Sequence, residues 1–259
     1  LNVELIRDQK ADVGLERYGI SNNQMEVFNH WSKFMKCLPE GVTPPSPTWS
    51  MEFGRNYPLK GIHPINRQSR KVLCDVLRRE RRGRGITPDM PRSVIEAEFP
   101  PYIRSMKKTL PPWKIKFIQN NRDFWRDNRK YIPKGWLRKT RKYHETYQKF
   151  EWHVGPQPKE MRDVMNFMIH TRPSGIRVSR LNWIPALVAI AQTPIIGPWG
   201  RRITPREAAN AQSFGQNKVQ YRDFEWDYIS SPNFDVFPIV LITLFQKAIV
   251  VISCPLVGL

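Results

Sequence analysis

The sequence predicts an α+β chain, a helix-rich part followed by a small β-sheet region. Three observations carry this reading. Between Ser21 and Leu38 the apolar residues Met25, Phe28, Trp31, Phe34, Met35 and Leu38 recur at three- and four-residue spacing, the period of one helix face. A helical pair follows at roughly 112–130 and 134–149. From Gly175 the period changes to two: Ile176 and Val178 alternate with Arg177 and Ser179, as on a strand with one buried face.

In chain order, Ser21 is the expected N-cap of the first helix. Residues 39–66 are Pro- and Gly-rich and read as irregular, with Trp49, Phe53 and Tyr57 as packing anchors. From Arg67 to Arg84 the chain is strongly basic, and Val72, Leu73, Val76 and Leu77 form an apolar stripe beneath the cations. Such a helix suits a phosphate backbone and suits an ordinary solvated face equally. Residues 86–112 read as a proline-punctuated connector. In the helical pair Trp113, Phe117 and Phe124 line one face as core aromatics, with Lys114, Lys116, Arg122, Arg126, Arg129 and Lys130 outside. Residues 150–170 predict a turn and a short helix carrying Met161, Val164, Met165 and Met168. The apolar run Ile184–Ile190 follows a turn, and Ile195-Ile196 precedes a Gly-Pro-Trp-Gly turn.

The best-signalled helix start is at Thr204. Thr204 suits the N-cap, Pro205 falls at the first helical position where its missing N–H costs nothing, and Glu207 completes a capping box. Ala208, Ala209 and Ala211 propagate the helix, and Gly215 can end it. Arg201, Arg202 and Arg206 surround this start, so the site suits either a phosphate or a capped surface helix with solvated arginines.

The chain has 259 residues with 42 Lys plus Arg against 23 Asp plus Glu, a formal charge of +19. That excess favours a polyanionic partner, nucleic acid first. Cys37, Cys74 and Cys254 are widely spaced with no CxxC, which excludes a disulfide framework or a zinc site and fits a reducing, cytoplasmic setting. His30, His63, His144, His153 and His170 show no metal spacing. The stretch Ile239–Cys254 is shorter than the about 20 residues a membrane span needs and carries Gln246 and Lys247, so a buried closing helix is expected there and no membrane partner. The opening Leu1-Asn2-Val3 has no initiating Met and no signal pattern, and reads as a cut end.

The wording around the capped helix is more specific than its physics. Arg201-Arg202-Ile203-Thr204-Pro205-Arg206-Glu207-Ala208-Ala209, with Gln212-Ser213-Phe214, resembles the ninth motif of the DNA cytosine-C5 methyltransferases. Arg172-Pro173-Ser174-Gly175-Ile176-Arg177-Val178, Pro185-Ala186-Leu187-Val188-Ala189 and Gln192-Thr193-Pro194-Ile195-Ile196-Gly197 resemble the end of that family's target-recognition region. So do Leu110 to Phe124 and the closing Lys149-Phe150-Glu151-Trp152. The resemblance divides the chain into a basic, Pro-rich part (1–109), a target-recognition region with the ninth motif (110–214) and a divergent tail with a degraded tenth-motif helix (215–259).

The resemblance implies a parent enzyme of Rossmann-like α/β fold, with its catalytic sheet largely absent here. In that family a Cys thiolate attacks C6 of a flipped cytosine, and C5 takes a methyl group from S-adenosylmethionine. The family sets that Cys in Pro-Cys-Gln. Here Cys37 follows Lys36, Cys74 follows Leu73 and Cys254 lies between Ser253 and Pro255, so none fits. The Phe-x-Gly-x-Gly cofactor loop is also absent, Gly83-Arg84-Gly85 being a lone Gly-x-Gly with no strand before it. No catalytic residue, metal site or cofactor site is therefore assigned to this chain. Its implied partners are double-stranded DNA and a separate catalytic half or subunit. Its implied DNA-facing residues are Arg172, Arg177, Arg180, Thr193, Arg201, Arg202 and Arg206, and Thr204, Pro205, Glu207 and Gln212 are structural members of the ninth motif. Arg177 and Arg180, beside small neighbours on a strand, suit reading of guanine through O6 and N7. An inactive truncated product, or a basic ribosomal-like nucleic-acid-binding protein, would share the composition.

Overall fold

Proline punctuates the helix starts of this chain, as its placement at first helical positions allows. The computed structural model describes residues 3–7, 15–57, 59, 65–80, 82–105, 110–182, 184 and 193–211. In chain order the elements are α1 (Asn22–Cys37), β1 (Thr48–Trp49), α2 (Arg70–Arg79), α3 (Arg92–Ala97), α4 (Pro101–Arg104), α5 (Pro112–Asn128) and α6 (Trp136–Thr140). They continue with β2 (Lys149–His153), β3 (Met168–Arg172), β4 (Gly175–Ser179), β5 (Ile195–Ile196), β6 (Arg201–Arg202) and α7 (Pro205–Ala211). This is the expected α+β composition. The expected closing helix at Ile239–Cys254, the whole tail from 215, Gln212 and most of the run Ile184–Ile190 lie outside the described residues. No helix among the described residues is long and apolar enough to cross a membrane.

Contacts group the chain into two units, residues 37–151 and residues 1–36 with 152–259. The grouping differs from the division at 109 and 214 expected along the chain. One boundary falls at the end of α1 and the other inside β2.

In the unit of residues 37–151, Leu73, Cys74 and Leu77 of α2 meet Ile95, Phe99, Ile103 and Ile118 in one apolar cluster with Tyr57 and Ile65. Each such buried side chain contributes about 1.5–3 kcal/mol over its exposed state. Ser69 caps α2 by accepting the Val72 N–H. The proline-rich connector expected at 86–112 contains two short helices, each preceded by a proline N-cap: Pro91 before α3 and Pro100 before α4. The aromatic stripe of α5 is corrected in part. Ile118 and Asn121 are the buried positions, whereas Trp113 is 63% exposed. Phe53 stacks on Trp125 instead, at 5.0 Å. Asn121, fully buried, accepts the Trp49 N–H on Oδ1 (2.6 Å) and donates to the carbonyls of Pro47 and Phe117. It thereby ties β1 to α5. The expected helix at 134–149 is confined to α6, because Lys149 and Phe150 leave it to pair antiparallel with Trp49 and Thr48.

In the other unit, Val27, Phe28, Trp31, Phe34 and Met35 form the buried face of α1, as the spacing predicts. Ser21 caps it by accepting the Gln24 N–H. The strands run in the order β4-β3-β5-β6, all antiparallel. The face that carries Met168 packs it and Ile196 with Ile203, Val3, Ile6 and Ala208. The helix expected within 150–170 is replaced by single 3-10 turns at Lys159–Met161 and Val164–Asn166, and then by β3. Asp163 starts the second turn by accepting the Met165 N–H, and its carboxylate holds Lys36 at 2.5 Å. Burial pushes the Asp163 carboxyl up, but hydrogen bonds from Lys36, Met165 and Ser32 outweigh it and hold the group below the usual range.

Candidate nucleic-acid interface

The β3–β4 hairpin is built by its turn. Arg172 pairs with Gly175 across Pro173-Ser174, and Gly175 takes a φ of 131° that side chains rarely adopt. From that closing pair the register follows: Thr171 opposite Ile176, His170 opposite Arg177, Ile169 opposite Val178. The alternation puts Ile169, Ile176 and Val178 on one face, all fully buried. It puts His170, Arg172 and Arg177 together on the other. Sequence spacing placed Arg177 on a strand correctly and missed that Arg172 and His170 lie beside it. The signal that could have found them is the β-branched alternation Met168-Ile169-His170-Thr171-Arg172 running into a Pro-Ser-Gly turn.

His170 is buried, and its Nε2 has no hydrogen-bond partner among the described residues, nor has the buried Oγ1 of Thr171. Burial first, then the charges of Arg172 and Arg177, push the imidazole down to about 4. At neutral pH the ring is uncharged, with one nitrogen able to donate and one able to accept. The face therefore combines two half-buried arginines with a neutral ring.

Arg180, just past β4, is exposed, and its Nε donates to the Val154 carbonyl at 2.7 Å. Gly155 has a φ of 83°, so this turn favours glycine, and a Cβ there would lie 3.1 Å from the Arg180 Nη2. Trp152 fixes the same turn through a 2.8 Å bond to the Gly155 carbonyl. Arg180 is thus an anchored guanidinium facing solvent. Thr193 is half-buried just before β5.

The capped helix forms as the sequence specifies: Glu207 N–H donates to Thr204 Oγ1, and Thr204 N–H donates to the Glu207 carboxylate. Its arginines do not sit as expected. Arg201 is 7% exposed and gives two 2.7 Å hydrogen bonds to the two carboxylate oxygens of the fully buried Glu207. Arg202 donates to the Gly19 carbonyl and to Gln24 Oε1, both at 2.7 Å. The expected phosphate position beside Arg201 is thereby corrected. The anion that neutralises Arg201 is the carboxylate of Glu207, so Arg201 holds the fold together. Arg202 ties β6 to the segment entering α1. The side chains of Pro205 and Arg206 lie outside the described residues.

The basic helix α2 keeps part of its charge to itself. Arg78 pairs with Asp75 at 2.8 Å, Arg79 donates to the Asp75 carbonyl, and Arg70 donates to the Met90 carbonyl. Exposed pairs of this kind contribute little stability and can be exchanged for phosphate contacts.

Over 128 residues the chain is 36% identical to the type II methyltransferase M.AluI of Cellulosimicrobium cellulans. The chain is similar to a type II methyltransferase. The match takes in 48% of this chain and 23% of M.AluI, so the chain spans under a quarter of the length of the relative it matches. No family model matches the chain, and no solved structure matches it.

Proposed function

We propose that this chain is the DNA-recognition part of a DNA (cytosine-5-)-methyltransferase, which grips duplex DNA and selects the site while a separate catalytic half or subunit performs the transfer. The observation that carries this reading is the 36% identity to a type II methyltransferase. The hairpin face of Arg172 and Arg177 with the anchored Arg180 supports it. Phosphate contacts position a protein on DNA and base contacts specify the sequence. Arg177 and Arg180 suit the second role, with Arg172 and Thr193 beside them. Arg202 and Arg206 remain positioning contacts in this reading, and Arg201 does not.

The methyl donor that the resemblance implies is S-adenosylmethionine, and the described residues do not fit it. Gly83-Arg84-Gly85 follows helix α2, not a strand. A Cβ at Gly83 would meet Leu77 and Ile86 at 3.2 Å, so that glycine serves close apolar packing and not the approach of a ligand. Cys74 is buried in the apolar cluster with Leu73 and Leu77, where no substrate base reaches it. No step of methyl transfer is assigned to this chain.

The test is a titration of labelled duplex with the full chain at several salt concentrations. Each phosphate neutralised should contribute a slope of about 0.9 in log K against log salt. Binding to folded RNA with no preference for duplex DNA overturns the reading in favour of a ribosomal-like protein.

A further inference from the structure

Within the unit of residues 37–151 lies a pocket of about 280 Å³ whose lining includes Arg55, Arg82, Arg104, Arg141, Glu98 and Glu145. The first two ion pairs are internal. Arg55 is buried and donates to Glu80 (3.1 Å), to the Met51 carbonyl and to the Glu98 carbonyl. Arg104 pairs with Glu145 at 2.6 Å. Arg82 and Arg141 remain. Both donate through Nη2 to one acceptor, the carbonyl oxygen of Phe53, at 3.1 and 3.4 Å. Among the described residues neither makes an ion pair.

A neutral carbonyl cannot neutralise two guanidinium groups. Held on one oxygen in a partly dehydrated pocket, they repel each other and Arg55. Burial first, then Arg55 and Arg141, depress Arg82 to about 9 against the weaker pull of Glu80 and Glu52, and burial and Arg55 depress Arg141 against that of Glu80 and Glu98. Each guanidinium has further N–H donors beyond the one given to Phe53. Two forks of donors, on guanidinium groups that make no ion pair among the described residues, match the terminal oxygens of one phosphate group.

We propose that this pocket is an oxyanion site that takes a phosphate group between Arg82 and Arg141. The phosphate is either a backbone phosphodiester of DNA or a free phosphate. The inference stands on this pocket alone and does not depend on duplex binding by the β3–β4 hairpin.

The experiment is thermal unfolding of the full chain in inorganic phosphate and in chloride at matched ionic strength, for the wild type, Arg82→Gln, Arg141→Gln and the double variant. Phosphate stabilises many proteins by exclusion from their surface, so the readout is the difference between chains. The wild type should gain a larger rise in Tm than the double variant, because a ligand bound to the native state adds stability by mass action. In chloride, Arg141→Gln should be as stable as the wild type or more so, since it removes a repulsion. Equal phosphate increments in all four chains overturn the proposal, as does full retention of the increment by the double variant. A parallel competition against a short duplex separates the two sources. If phosphate displaces duplex from the wild type and the double variant has a lower salt slope, the ligand is a backbone phosphate. If duplex binding is the same in both chains while the Tm increment is lost, the ligand is a free phosphate.

Discussion

Arg201 and Glu207, six residues apart, form a two-pronged ion pair with both hydrogen bonds at 2.7 Å and the carboxylate fully buried. The same carboxylate accepts the Thr204 N–H, so the pair and the helix cap are one structure. Removing one partner of a buried pair leaves the other charge uncompensated, at a cost of about 3–5 kcal/mol. We expect Arg201→Ala to lower the unfolding free energy by that amount, read as a fall in the urea midpoint at unchanged m-value. Arg201→Lys should lose much of the same stability, because an ammonium cannot reproduce the fork. A loss below about 1 kcal/mol for Arg201→Ala, typical of an exposed pair, would show that the guanidinium is solvated after all.

Asn121 makes three hydrogen bonds that join the segment of β1 to α5. Asn121→Ala removes the partner of the Trp49 N–H and of the Pro47 carbonyl, while the Phe117 carbonyl keeps its helical bond, and should cost about 1–3 kcal/mol per buried group left unsatisfied. Asn121→Asp should cost more, since its negative charge would face the carbonyls of Pro47 and Phe117 in a buried site. Chemical denaturation followed by tryptophan fluorescence checks both, and an aspartate variant as stable as the wild type would refute the arrangement.

His170 makes a pH prediction of definite sign. Its imidazole is held at about 4 in the folded chain against an ordinary 6.5. Between those values the unfolded chain binds the proton and the folded chain does not, so stability rises with pH across the window. Acidification from pH 7 towards pH 4 should therefore remove up to about 3 kcal/mol, with no further loss from this group below pH 4. Other carboxyls titrate in the same range, so the informative quantity is the wild type minus His170→Gln. That difference should slope between pH 4 and 6.5, and a flat line would mean the ring is already protonated in the fold.

Arg177 and Arg180 should act on sequence choice, whereas Arg202 should act on all sequences alike. With the catalytic half supplied, Arg177→Ala or Arg180→Ala should lose about 1–3 kcal/mol at the preferred base and little on scrambled duplex. Arg202→Ala should weaken both and lower the salt slope by about one. Competition binding to the two duplexes decides it. Equal losses on both would return Arg177 and Arg180 to the class of ordinary surface arginines.

Local signals in this chain were legible wherever the deciding contact is local. The Ser21 and Thr204 caps, the apolar face of α1 and the strand at Ile176–Val178 follow from residues within a turn or two of each other. Strands β2 and β3 were not legible. Lys149–His153 has no strand signal strong enough by itself, and the alternation of Met168–Arg172 is readable only together with the turn after it; their partners decide them: Thr48 and Trp49 for the first, β4 and β5 for the second. Trp113 was misread because helical spacing says which residues share a face, not whether that face is covered.

The sequence by itself determined the capping box at Thr204 and Glu207, the strand at Ile176–Val178 and the cationic excess, because each is a property of neighbours or of composition. Only the tertiary structure decided which arginines are available to an anion. Arg201, at the arginine-rich start of α7, is committed to the Glu207 carboxylate, whereas Arg202 donates only to neutral acceptors, the Gly19 carbonyl and Gln24 Oε1. Arg82 and Arg141, 29 and 88 residues from Phe53, converge on its carbonyl and make no ion pair among the described residues. Charge is written in the sequence residue by residue, but its neutralisation is set by distance and burial, and those exist only once the chain has folded.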